Sequence, residues 1–157
     1  MVTDSRCVLT MQELLALSQK HPSVTVLQFD VKDYASHGTL AKQVEEAVGD
    51  AGLDVLINNA GIYNKVSLES GSPELIVENV EVNAVAPFFL TRTFLPLLRR
   101  SAKHMTGGRK TVIVNITSKM GSIADNTFGG HYAYRSSKVS GPLLIRLSSD
   151  RRSFRRR

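Results

Sequence analysis

The sequence predicts an α/β protein with a doubly wound parallel sheet, and three observations predict it. Short runs rich in Val, Ile and Leu, at residues 24–29, at 55–57 and from 111 onward, alternate with stretches of ten or more residues whose apolar positions recur at helical spacing. That alternation is the mark of βαβ units. The run at 55–57 is apolar throughout, as a strand covered on both faces requires. It stops at Asn58-Asn59-Ala60-Gly61, small residues and amides at a strand's C-terminal end, where open α/β sheets let a ligand approach the backbone.

Taken in order, the elements have local causes. Residues 1–10 hold at most a stub of strand at Cys7, Val8 and Leu9. Met11, Leu14, Leu15 and Ser18 share one helical face over Met11–Lys20, and His21-Pro22-Ser23 closes that helix with a proline that cannot continue it. A strand is predicted over 24–29, ending at Asp30-Val31. Over His37–Val48 the stripe of Leu40, Val44, Ala47 and Val48 predicts an amphipathic helix, broken by the glycines at 49 and 52. Ser72-Pro73-Glu74 reads as a helix start, with an N-cap, Pro at N1 and an acid in the first turn. The pattern then runs to Arg99-Arg100 with Pro87 and Pro96 inside it, so a break is expected, and Asn83 lies four residues before Pro87. A polar turn at 105–109 precedes the last strand.

The stretch 111–138 carries the chemistry. Its apolar run ends near Ser118, and Tyr134 and Lys138 follow four residues apart, so a helix from about 131 places them on one face. An ammonium beside a phenol favours the phenolate, which suits proton exchange, and Ser118 adds a hydroxyl for a carbonyl oxygen. A Tyr-x-x-x-Lys match alone is a weak signal; its place after the strand and the serine gives it weight.

Composition excludes several classes. The 157 residues make one domain, assigned to 1–150, with an Arg-rich tail at 151–157. The net charge of +6 is mostly that tail, whose five arginines leave +1 for residues 1–150, so a nucleic-acid function is not implied. A single cysteine excludes an internal disulfide and a multi-thiolate metal site, and no metal is expected. No apolar run approaches a membrane span, and Asp4 and Arg6 stand where a signal peptide needs an apolar core, so a cytoplasmic location is expected.

With these residues in view, the chain resembles the short-chain dehydrogenase/reductase family. The resemblance rests on Asp30-Val31, Asn58-Asn59-Ala60-Gly61, Asn83 in Val82-Asn83-Ala84, Ser118 after Asn115-Ile116-Thr117, and Tyr134 to Lys138. Within the family, GSIADN followed by GGHYAYRSSK looks most like the carbonyl reductases of the C-factor and sniffer type. The resemblance implies a Rossmann-like sheet and an oxidoreductase that moves a hydride between NADP or NAD and a small carbonyl or alcohol substrate. NADP is the cofactor that the subgroup resemblance favours. Tyr134 would be the general acid or base, Lys138 would lower its pKa and hold the nicotinamide ribose, Ser118 would orient the substrate oxygen, and Asn83 would anchor a relay water. Asp30 and Val31 would meet the adenine; Asn58, Ala60 and Gly61 would lie along the cofactor. The helix around 82–100 corresponds to one through which relatives form homo-oligomers.

This likeness covers about residues 11–140 and departs from the family at both ends. No glycine occurs in residues 1–37, so the Gly-rich turn that would meet the pyrophosphate is missing. The strands at 24–29, 55–57 and 111 onward correspond to the third, fourth and fifth of the family, and the sixth and seventh are missing. Ser140-Gly141-Pro142 is expected to interrupt the helix that bears Tyr134. The expectation is an incomplete, truncated fold whose third strand lacks its partners. The alternative function is an inactive fragment that acts by associating with a full-length relative.

Overall fold

The structure, a computed structural model, describes residues 11–148. The stub at Cys7, Val8 and Leu9 and the arginine tail lie outside the described residues. Helices α1 (Met11–Lys20) and α2 (His37–Val48) precede strand β1 (Val55–Asn58); α3 (Pro73–Val80) and α4 (Ala86–His104) lead to β2 (Val112–Asn115); α5 (Tyr132–Ser148) follows. The two strands are parallel, in register from Val55 opposite Val112 to Asn58 opposite Asn115. This is an α/β, Rossmann-like fold in incomplete form.

The core lies between the sheet and α4. Leu90, Phe94, Leu97 and Leu98 of α4 pack with Val31, Leu40 and Val82, and Leu56 and Ile113 join them from the sheet. Alternation puts Val55, Ile57 and Val112 on the opposite face, where they stay 46%, 58% and 42% exposed. Only one side of the sheet is therefore covered by the described residues. The start of each strand is tied to α4: Ser101 Oγ donates to Asp54 Oδ1 at 2.6 Å and shares a hydrogen bond with Thr111 Oγ1 at 3.1 Å. Before β1 the chain turns at Gly52, at φ +76°, where an added Cβ would stand 2.6 Å from both Leu97 O and Ser101 N. Only glycine permits that approach.

The strand expected at 24–29 does not form. The segment is extended, and Leu27 and Phe29 pack against the core, but residues 25–29 make no backbone hydrogen bond among the described residues. A cavity of about 630 Å³, lined by Thr25, Leu27, Phe29, Leu56 and Ile57 among others, lies between this segment and β1. A ladder needs a neighbour about 4.8 Å away, and here the neighbouring backbone lies across a gap. Its end is nevertheless held firmly: buried His37 bonds through Nε2 to Val31 O at 3.0 Å, and Asp33 N donates to Asp30 O at 3.1 Å.

The break expected before Pro87 is present as a turn of π-helix, Glu81–Val85, between α3 and α4. Pro87 has no N–H for the Asn83 carbonyl four residues back, and the wider turn absorbs the mismatch. The N-cap is also as expected, with Ser72 Oγ accepting from Leu75 N at 3.4 Å and Pro73 at N1.

The interruption expected at Ser140-Gly141-Pro142 is absent, and α5 runs through it to Ser148. Pro142 deprives only the Lys138 carbonyl of a helical donor. Gly141 lies against the π-turn, where a Cβ would stand 3.1 Å from Asn83 O. Packing at that close approach outweighs the weak local propensity of the triplet.

Candidate functional site

Because β1 and β2 are parallel and in register, the loops at 59–64 and 116–121 leave the same edge of the sheet. Asn58 Nδ2 locks the two strand ends together, donating to Asn115 Oδ1 at 2.8 Å and to Thr91 Oγ1 at 3.1 Å. Its side chain is thus committed inside the protein. What Asn58 offers to a ligand is backbone.

Asn83 joins three elements. Its Oδ1 accepts from Ile62 N at 2.8 Å, and its Nδ2 donates to Ile62 O at 2.9 Å and to Ser137 Oγ at 2.8 Å. The π-turn therefore holds the loop after β1 and helix α5 in one register. Gly61 lies in the narrowest part, where an added Cβ would be 3.1 Å from Asn83 Oδ1 and 3.5 Å from Lys138 Nζ.

On α5, Tyr134 and Lys138 stand one turn apart, with Lys138 Nζ 5.5 Å from the centre of the Tyr134 ring. Lys138 is buried, and its ammonium donates to Ile116 O at 3.1 Å beyond the end of β2. Burial pushes its pKa below the ordinary lysine value. Ser118 begins the short turn Lys119–Gly121, and its Oγ accepts from Met120 N at 3.2 Å. That turn is held on α5 by Arg135 Nη1, which donates to Met120 O at 3.4 Å, and by Gly121, whose missing Cβ leaves room for the Lys138 backbone.

The structure thus gathers Gly61, Asn83, Tyr134 and Lys138 at one place, with Ser118 on the loop fastened beside them. Asn58, Ala60, Asn83 and Lys138 also line one small cavity. Asp30 and Val31 lie apart from this group. Val31 is buried and shares the 630 Å³ cavity with Asn58 and Ala60, whereas Asp30 is exposed, its Oδ1 taking the Lys32 N–H at 2.9 Å. The 58–61 segment links the two groups.

Three residues of the site are missing from the sequence reading. Ser137 is fully buried and passes Asn83's bond on to Tyr134 O at 2.8 Å. Tyr63 sets its ring edge-on to Tyr134, with centroids 5.0 Å apart, and shares a hydrogen bond with His131 Nδ1. Ser137, three residues after Tyr134, was open to a helical-spacing argument. Nothing in the spacing of Tyr63 and His131 announces that they meet.

The ends of two parallel strands thus converge on a tyrosine, a buried lysine and a serine in a Rossmann-like arrangement. The chain belongs to the short-chain dehydrogenase family, whose model matches residues 2–150. The match reaches past the span of 11–140 that the motifs delimit. The chain is 37% identical over 102 residues to the C-signal protein of Myxococcus xanthus, covering 64% of this chain and 57% of that one. Among solved structures it is similar to the carbonyl reductase Sniffer of D. melanogaster, with TM-score 0.77, 35% identity, and coverage of 82% of this chain and 54% of that one. It is also similar to the NADPH-bound carbonyl reductase from chicken fatty liver, with TM-score 0.83, 34% identity, and coverage of 94% and 60%. The chain thus spans little more than half the length of these relatives. Among the described residues no helix is long and apolar enough to cross a membrane.

Proposed function

We propose that this chain is a nicotinamide-dependent oxidoreductase that interconverts a small carbonyl compound and its alcohol, with Tyr134 as general acid and base. The observation that carries this reading is the buried ammonium of Lys138, held by Ile116 O one helical turn from the phenol of Tyr134. A cation kept out of water beside a phenol stabilises the phenolate left when the proton departs. In the reducing direction the Tyr134 hydroxyl gives its proton to the carbonyl oxygen, and in the oxidising direction it takes one back. Ser118 donates a hydrogen bond to the same oxygen. Asn83 has its side chain committed to Ile62 and Ser137, so its part in a water relay falls to its backbone carbonyl.

The residues fit the nicotinamide end of a dinucleotide. Gly61 leaves open the space that a Cβ would fill against Asn83 and Lys138. Tyr134 and Lys138 would hold the ribose, Ala60, Gly61 and the Asn58 backbone would lie along the cofactor, and Asp30 and Val31 would meet the adenine. When bound, the dinucleotide supplies or takes up the hydride. NADP is preferred over NAD on the likeness to the chicken enzyme, whose structure holds NADPH.

The test is thermal unfolding with NADPH or NADH, together with reduction of 4-nitrobenzaldehyde by the wild type and by Tyr134→Phe. Cofactor at about 100 times its dissociation constant should add roughly 2.7 kcal/mol of stability. Tyr134→Phe should keep part of that shift, through Lys138 and the 58–61 backbone, and lose about 10²- to 10⁴-fold in rate. A melting point indifferent to both cofactors, with no reduction, would sink the proposal.

A second reading is favoured by the uncovered side of the sheet. Val55, Ile57 and Val112 are exposed, and the segment at 25–29 has no ladder partner among the described residues, as in a chain that acts by associating with a full-length relative. Self-association through the helix around 82–100 would use what α4 leaves outside its core face, such as Phe89. Sedimentation that gives the monomer mass, alone and mixed with a full-length relative, would remove both forms of association.

A further inference from the structure

We infer that Tyr63 and His131 are positioning residues that hold the Tyr134 ring, an inference that rests on the reading of Tyr134 as proton donor. The Tyr63 ring meets Tyr134 edge to face at 5.0 Å between centroids. A ring placed only by that contact would be free to tilt, since an aromatic pair contributes about 1 kcal/mol. The free end of Tyr63 is tied instead to His131 Nδ1. His131 in turn belongs to the start of the helix that carries Tyr134, for its carbonyl accepts from Arg135 N at 2.9 Å. The loop after β1 and the first turn of α5 are thereby closed into a ring of contacts running from Tyr134 through Tyr63 and His131 back to the α5 backbone.

The backbone of His131 supports the same conclusion. It has φ +53°, the sole positive φ of a non-glycine among the described residues, and follows Gly129 and Gly130 at +64° and +66°. A third glycine would take that conformation without strain, whereas histidine adopts it at a cost. The side chain that stands there makes one hydrogen bond among the described residues, to Tyr63, and stacks at a tilt on the same ring at 5.6 Å. A strained residue whose side-chain contacts lead to Tyr134 is placed for that contact.

The substitutions separate positioning from mere support. His131→Gly keeps the backbone conformation and removes the link. Tyr63→Phe keeps the ring and removes the same link. His131→Asn accepts a positive φ and returns an amide near the place of Nδ1, so it should restore function. Two readouts are needed. The first is the nuclear Overhauser effect between the Tyr63 and Tyr134 rings, measured with tyrosines protonated in a deuterated background and assigned through Tyr→Phe variants of the four tyrosines. The second is kcat and KM for 4-nitrobenzaldehyde with NADPH. We expect His131→Gly to lose the ring-to-ring signal and about 10- to 100-fold in kcat, with KM within about twofold, the scale of a misplacement near 1 Å. Tyr63→Phe should match it in kcat, and His131→Asn should recover both readouts. An unchanged ring-to-ring signal in His131→Gly overturns the inference. So does an unchanged kcat in His131→Gly when Tyr134→Phe is inactive. If the chain reduces no aldehyde, or Tyr134→Phe reduces it as well as wild type, the proton-donor reading fails. The ring-to-ring signal then decides by itself whether His131 holds Tyr134 in place.

Discussion

Replacing Asn83 by alanine should damage the architecture of the site before it touches any chemistry. The side chain is 7% exposed and makes three hydrogen bonds, at 2.8 and 2.9 Å to the two backbone groups of Ile62 and at 2.8 Å to Ser137 Oγ. At a net worth of about 1 kcal/mol each, their loss comes to about 3 kcal/mol. Ser137 keeps its bond to Tyr134 O, so it adds no unpaired group of its own. In a domain of this size, about 3 kcal/mol lowers the melting temperature by roughly 6–12 °C. Asn83→Asp should be no better than alanine, because it keeps the acceptor for Ile62 N but turns a second oxygen toward Ile62 O. The assay is urea unfolding followed by circular dichroism, comparing midpoints at constant slope. The same variants should lose the cofactor-induced shift, since Gly61 is no longer held against Lys138. An Asn83→Ala protein within about 1 kcal/mol of wild type would refute the claim that this residue clamps the loop to α5.

Two further substitutions probe the frame around the site. Gly52→Ala should cost at least about 1–3 kcal/mol, because it meets a positive φ and a Cβ 2.6 Å from Leu97 O and Ser101 N together; a neutral variant in the urea assay would show that the turn does not rest on α4 as described. Lys138→Met tests the buried charge by pH. Burial holds the folded-state pKa of Lys138 below 10.5, so the native state carries a desolvation penalty that is full below that folded-state pKa and relieved as pH rises through it toward 10.5. Wild-type stability measured relative to Lys138→Met should therefore rise in the window just below 10.5, and a difference that stays flat there would contradict the burial.

Much of the fold was legible in local pattern. The helices Met11–Lys20 and His37–Val48 have the bounds that apolar spacing predicts, and Ser72-Pro73 starts α3 through a cap that depends on nothing distant. Pro87 announces the π-turn because a missing N–H is a local fact. The segment at 24–29 has strand character without becoming a strand, since a ladder needs a neighbour and no composition supplies one. The Ser140-Gly141-Pro142 triplet errs in the opposite direction: local propensity argues for a break, while close packing of Gly141 on the Asn83 carbonyl carries the helix through.

For the site, residue types and spacing were enough to single out Ser118 and to put Tyr134 and Lys138 on one helical face, because a 3.6-residue period places i and i+4 together in any helix, whereas Asn83 entered only through the family resemblance. Tertiary structure assigned their tasks. The Asn83 side chain proves to be a clamp on Ile62 and Ser137, and the Asn58 amide a tie between strand ends, because partners such as Ile62, 21 residues away from Asn83, and Asn115, 57 away from Asn58, meet only when the sheet has formed. Tyr63 and His131, 68 residues apart, come together for the same reason. Periodicity reports which side of its own element a residue occupies, but long-range contacts arise from how elements pack, and that is settled by burial and hydrogen bonding across the whole chain.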